Sequence, residues 1–210
     1  MTANDLTVLD LLDALLRIDS VNPGLDPGGA GEAGIAAVVA DWGRAAGLRT
    51  QVAEGTPGRP SVILRGGRNI GGRRLLLCGH LDTVGFAGTR DALTPRIDGD
   101  RLHARGAYDM KAGLAAGLIA CREASLAGID GEIIVVAVAD EEHASLGIQE
   151  VLTQLDPASI HAAVVTEPTE RQVGTAHRGF VWTEVTVTGV AAHGSRPHLG
   201  ADAILAAGHH

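Results

Sequence analysis

Leu75 to Val84 reads LLLCGHLDTV. Three leucines and a cysteine make an unbroken apolar run, the pattern of a strand buried on both faces. The run stops at Gly79, and the strand's carboxyl end then carries an imidazole, His80, and a carboxylate, Asp82. Residues i and i+2 of a strand point the same way. His80 and Asp82 therefore share a side, with Asp82 placed to accept the second N–H of a metal-ligating His80. In open α/β sheets this end of the strands is where ligands bind. A polar strand end that merely carries a His and an Asp is the plainer alternative.

Working outward, two more apolar runs end in the same way. EIIVVAVA, Glu132 to Ala139, stops at Asp140-Glu141-Glu142-His143, and Ala162 to Thr166 stops at Glu167-Pro168. Amphipathic spacing predicts helices over Thr7 to Ile18 (Leu9, Leu12 and Leu16 on one face), Glu32 to Ala46, Asp109 to Ala127 and Leu146 to Leu155. Gly47 sits where a helix C-cap is expected. Shorter strands are predicted over Leu48 to Ala53 and Ser61 to Arg65, and a hairpin turns around Asp98-Gly99. Strands alternating with helices imply an α/β fold, a mostly parallel central sheet with helices on both faces. From Phe180 the pattern changes. VWTEVTVTG alternates apolar and polar, as an antiparallel strand with one wet face does. This divides the chain into a first domain, 1–177, and the start of an α+β domain, 178–210, with a helix from Asp202 to Ala207.

Composition narrows the partners. The 210 residues carry a net charge of −8, which argues against nucleic acid or an anionic membrane. Only 2% of the residues are aromatic against 45% hydrophobic, so aliphatic side chains must fill the core. Cys78 and Cys121 both fall in core patterns and suggest no disulfide framework, which fits a reducing compartment. MTANDLTVLDLLDALLRID has acids in its apolar stretch and no basic leader, so a cytoplasmic location is expected. No apolar run approaches the roughly 20 residues of a membrane span.

Three strand ends are thus polar, and a fourth cluster, Arg105-Gly106-Ala107-Tyr108-Asp109-Met110-Lys111, opens a long helix. If the strands are parallel neighbours, all four gather at one edge of the sheet. One imidazole and several carboxylates converging there suit a divalent cation, with zinc leading. Without a cation the carboxylates would repel one another. Each cluster alone also has a plainer reading. Asp109 fits a helix N-cap, Glu141-Glu142 a solvated acidic turn, and Glu167 a loop acid. Four such coincidences at four element ends are jointly improbable.

As a set, GHLDTV (79–84), RGAYDMKAGLAA (105–116), ADEEHASLG (139–147), TEPT (166–169) and AAHGSRPHLGADAI (191–204) resemble the co-catalytic di-zinc hydrolases. That family includes acetylornithine deacetylase, succinyl-diaminopimelate desuccinylase, aminoacylase and carboxypeptidase G. The resemblance implies a two-domain enzyme that cleaves an amide of an N-acyl amino acid or short peptide. His80 and Glu167 would bind one zinc, Asp109 would bridge two, and Glu142 would bind the second. Asp82 would orient His80, and Glu141 would be the general base. Cobalt or manganese could replace zinc. The second domain would be a lid that also forms a homodimer. His193, in His193-Gly194-Ser195-Arg196-Pro197, would reach the partner's site and stabilise an oxyanion, with Arg196 and Gly200-Ala201-Asp202 near the substrate carboxylate.

One departure stands out. The family takes a further histidine for its second metal from beyond the lid, and no residue here matches it. A piece of a longer product, with little activity by itself, is therefore expected. Two rivals remain, a non-catalytic metal-binding or dimerisation fragment and a related di-zinc aminopeptidase. The second is disfavoured because that group lacks the H-x-S-x-P element. His103, His143, His161, His177 and His198 have no metal-ligand spacing, and His209 and His210 end the chain.

Overall fold

The computed structural model describes residues 2–176, 179, 181 and 183–208. The chain forms two units, 1–171 and 172–210. The boundary expected near Arg178, His177 beside it, Phe180 and Trp182 of the expected strand, and the terminal His209 and His210 lie outside the described residues.

The first unit is built on a five-stranded sheet. Its strands are β1 (Arg49–Ala53), β2 (Ser61–Gly66), β3 (Arg74–His80), β6 (Glu132–Val138) and β7 (Ala162–Val165), in the order β1-β2-β6-β3-β7. β3 lies parallel to both β6 and β7, while β2 runs antiparallel to β1 and β6. The sheet is thus mixed, and its parallel half is the half that ends in polar residues. A separate ribbon pairs β4 (Arg96–Asp98) with β5 (Arg101–His103) around Gly99.

Alternation along the strands sorts side chains to two faces. Val62, Leu64, Val135 and Ala137 point into a cluster with helices α1 (Val8–Leu16), α2 (Ala33–Ala45) and α3 (Ala112–Leu126). Ile63, Ile134, Val136 and Val138 point the other way, against Val151 of α4 (Leu146–Gln154). Helices therefore cover both faces. α1 begins in a capping box, with the Thr7 hydroxyl accepting from Asp10 N–H and the Asp10 carboxylate accepting from Thr7 N–H. Its buried face is Leu11, Leu12, Leu15 and Leu16, whereas Leu9 is 56% exposed. Leu9 stands about 200° round the helix from Leu11, because each residue turns about 100°.

Three expectations need correction. The helix predicted from Asp109 begins at Ala112, because 107–111 form a wide turn in which Asp109 (φ −119, ψ 101) and Met110 (φ −135, ψ 35) are non-helical. The apolar run of β7 is exposed along its length, because among the described residues it is an edge strand that pairs with β3 alone. In the second unit, 183–189 form no strand. An alternating strand needs a neighbour for its hydrogen bonds, and among the described residues of this unit the single Val190–Ala201 bridge is the pairing present. None of the unit's described residues is buried. It also contains a 3₁₀ turn (Pro197–Leu199) and helix α5 (Ala203–Ala207), capped by the Asp202 carboxylate accepting from Ile204 and Leu205 N–H. No helix among the described residues is long and apolar enough to cross a membrane.

Candidate metal centre

Register brings the site together. His80 stands opposite Val138, and Cys78 opposite Val165. The chain therefore leaves β3, β6 and β7 at one level, delivering His80, the 140–142 turn and Glu167 to one edge. The fourth contribution comes from the turn before α3. Two glycines let it close. A Cβ at Gly79 would lie 2.8 Å from Met110 Cε, and one at Gly113 would lie 2.5 Å from the Thr166 carbonyl. The bare backbones let Asp109 and Glu167 approach His80.

The buried His80 ring is the hub. Its Nε2 lies 3.2 Å from Asp109 Oδ1 and 3.9 Å from both Glu141 Oε2 and Glu167 Oε1. One ligand atom each from His80, Asp109 and Glu167 fall within 4.8 Å of one another. Donors about 2.0–2.1 Å from one tetrahedral zinc stand about 3.3 Å apart, and a nitrogen with two carboxylates is a donor set zinc accepts. The residues fit such an ion. Glu142 lies outside this group of three.

The electrostatics of these groups suit a cation. Burial works against a charged His80, but Asp82, Glu167 and Glu141 outweigh it and push the imidazole up to about 10. Burial, then Asp109, pushes Glu142 up to about 7. Glu167 is raised for the same first reason, burial, with Glu141 and Asp109 adding to it. A cation among these groups would reverse each shift.

Asp82 holds the centre from behind, by a different contact from the one expected. The His80 Nδ1 N–H faces the Asp82 main-chain carbonyl at 2.9 Å, whereas the carboxylate is 3.6 Å away. Other donors hold that carboxylate. It accepts from Asn22 Nδ2 (2.6 Å), Glu141 N–H (3.1 Å) and Glu142 N–H (3.1 Å). Burial would raise Asp82, but His80 and these donors keep it below the usual carboxylate range. One carboxylate thus ties the His80 strand end to the two-glutamate turn.

A deeper layer was not visible in the residue pattern. Asn22 Nδ2 also donates to Asp140 Oδ1 at 3.1 Å. Arg59 donates to Glu32 at 2.5 and 2.7 Å and to Asp140 at 2.8 Å. Glu32 in turn accepts from Asp140 N–H. Asp140 adopts φ +63, a left-handed conformation that Asp tolerates better than most residues. That bend aims the Glu141 and Glu142 N–H groups back at Asp82. In the sequence Asn22 stands before Pro23 in a Gly/Pro-rich stretch, and Glu32 opens the predicted second helix. The available signal was a set of polar residues beside apolar runs, which says nothing about pairing.

A cavity of about 440 Å³ opens against Glu167, lined also by Tyr108, Pro168, Thr169, Glu170 and Arg171. Tyr108 Oη donates to Glu170 at 2.7 Å. In the second unit, His193 Nδ1 accepts from Ser195 N–H at 3.2 Å and lies 2.8 Å from Ser195 Oγ. Among the other histidines, His143 stands 3.8 Å from Asp140, and His161 accepts from Arg74 N–H.

The sequence profile of peptidase family M20/M25/M40 matches residues 76–207. An acetylornithine deacetylase of Vibrio campbellii is 32% identical over 95% of this chain and 52% of its own length. One from Vibrio cholerae is 30% identical over 93% of this chain and 52% of its own length. The chain thus spans about half the length of these relatives. Among solved structures, a Staphylococcus aureus tripeptidase matches with TM-score 0.65 at 23% identity, covering 96% of this chain and 54% of that one. An M20 family metallo-carboxypeptidase of Sulfolobus solfataricus matches with TM-score 0.65 at 20% identity, covering 76% and 37%. Both share the α/β fold. The profile match covers more than half of the sequence, and the chain belongs to peptidase family M20/M25/M40.

Proposed function

We propose that this chain carries the catalytic centre of a metal-dependent hydrolase cleaving the amide bond of an N-acyl amino acid or short peptide. The observation that carries the reading is the convergence of His80, Asp109 and Glu167 from three separate elements, with Glu141 3.9 Å from the same imidazole. His80, Asp109 and Glu167 would hold a zinc ion, and Glu142, with Asp109, would supply ligands to a second. Cobalt or manganese suits the same donors. When bound, the metal supplies Lewis acidity that polarises the scissile carbonyl and acidifies a water.

The chain's own groups do the rest. The Asp82 carbonyl accepts a hydrogen bond from His80 Nδ1–H, which leaves Nε2 free to ligate. Glu141 accepts a proton from the attacking water and returns it to the departing amine. His193 accepts the Ser195 N–H at Nδ1, so its neutral ring carries the proton on Nε2, ready to donate to an oxyanion. Residues 178–210 begin a lid that pairs two copies of the protein. The identity to acetylornithine deacetylases favours N-acyl amino acids over peptides with a free amine.

Zinc per chain after dialysis tests this directly, in the wild type, Asp109→Ala and Glu141→Gln. The expected result is zinc in the wild type and Glu141→Gln and its loss in Asp109→Ala. Zinc held equally well without Asp109, or by none of the three, overturns the assignment. Assay of N-acetyl amino acids against free-amine dipeptides tests the substrate class.

A further inference from the structure

A cavity of about 700 Å³ lies between the 89–96 loop and the β4–β5 ribbon. Arg90, Arg96, His103 and Arg105 line it, and Asp91 is the single acid among the described lining residues. Arg96 and His103 are direct cross-strand partners, so they project from one face of the ribbon. Arg105 N–H donates to the Ala92 carbonyl at 2.8 Å, which ties the loop wall to the ribbon wall. Buried Ala92 and half-buried Leu102 make part of the lining apolar.

The arginines are unevenly satisfied. Arg96 pairs with Asp98 at 3.1 Å. Arg105 Nε is buried and has no hydrogen-bond partner. Among the described residues, neither Arg105 nor Arg90 makes a side-chain hydrogen bond or ion pair, although Asp91 lines the same cavity. An arginine cannot shed its charge. An unpaired buried donor carries a full desolvation penalty, larger for a charged group. The planar guanidinium fork matches a carboxylate or phosphate in two parallel bonds.

We propose that this cavity binds a small oxyanion, a carboxylate or phosphate group, with Arg105 as its inner anchor and Arg90 and His103 at its rim. The site is separate from the metal centre and does not depend on the reaction assigned to it.

The test is a titration of the isotopically labelled protein with sodium phosphate and, separately, sodium succinate, against sodium chloride at matched ionic strength. Saturable shifts at the amides of residues 89–105 are expected from at least one anion, and the stronger arm names the chemistry. Arg105→Met should weaken that binding at least about tenfold, the scale of one charge-assisted hydrogen bond. Its melting temperature in chloride checks that it folds. If it does not fold, Arg90→Gln and His103→Gln, on exposed positions, must each weaken binding instead. No saturable shift beyond chloride overturns the proposal. So do shifts confined to residues around His80, Asp109 and Glu141, or binding unchanged in the variants that fold.

Discussion

Arg59→Met is the sharpest perturbation of the frame beneath the metal centre. The Arg59 side chain is 13% exposed, and its partners Glu32 and Asp140 are fully buried. Methionine keeps most of the stem's volume and removes only the charge and its three hydrogen bonds. Two carboxylates are then left in the interior without a counter-charge. Breaking a buried ion pair from one side costs about 3–5 kcal/mol, against a total stability of about 5–15 kcal/mol for a domain. In a unit of this size that corresponds to a fall in Tm of about 10 °C. Thermal and urea unfolding followed by circular dichroism measure it. Glu32→Gln in the Arg59→Met background should recover part of the loss, because one orphaned charge disappears. That recovery is read as a coupling energy in a double-mutant cycle. Zinc affinity should fall with Arg59→Met as well, since Asp140 sets the bend that aims Glu141 and Glu142 at Asp82. A loss below about 1 kcal/mol would refute the claim that this network is desolvated.

The other expectations concern packing, protons and thiols. Gly113→Ala places a Cβ 2.5 Å from the Thr166 carbonyl, so α3 or the end of β7 must shift, at a cost of about 1–3 kcal/mol. Unchanged stability and zinc binding in that variant would show that Glu167 is not positioned by this contact. For the metal-free chain, His80 is held at about 10, above its usual 6.5, so its contribution is complete below about pH 6.5 and lost as pH rises through about 10. Glu142, held at about 7 instead of 4.5, adds a cost that grows as pH rises from 4.5 to 7. Both signs predict falling stability between pH 5 and 8 in chelator, and Lys111, lowered to about 8 by burial, recovers stability only above that pH. Zinc displaces the His80 proton, so its affinity, measured against a chromophoric chelator, should rise about tenfold per unit from about pH 6 to 8. A flat profile contradicts a protonated His80. Burial pushes Cys78 up to about 11 and Cys121 up to about 12, so a thiol reagent at pH 8 should label neither until denaturant is added. Fast labelling of the native protein would show that the strand or helix carrying the thiol opens locally.

The sequence by itself determined the elements and the chemistry they carry. Apolar runs ending in His80, in Glu141-Glu142 and in Glu167 are local patterns, and each was readable from its own dozen residues. The α/β class and the family resemblance followed from their order. Tertiary structure alone decided how the ends meet. The parallel register of β3 with β6 and β7 put those residues at one level, and pairings between strands distant in the chain have no local signature. The turn at 107–111 displaced the start of α3 to Ala112, because Asp109 reaches His80 from an irregular backbone. Asp82 offered its carbonyl to His80 because three N–H donors, each 59 or 60 residues away, hold its carboxylate. Arg59, Glu32, Asn22 and Asp140 form one buried network from positions up to 118 residues apart. A polar residue beside a hydrophobic run reads the same whether it faces water or a buried partner. Only the packed fold distinguishes the two, because burial forces each polar group to find a specific partner.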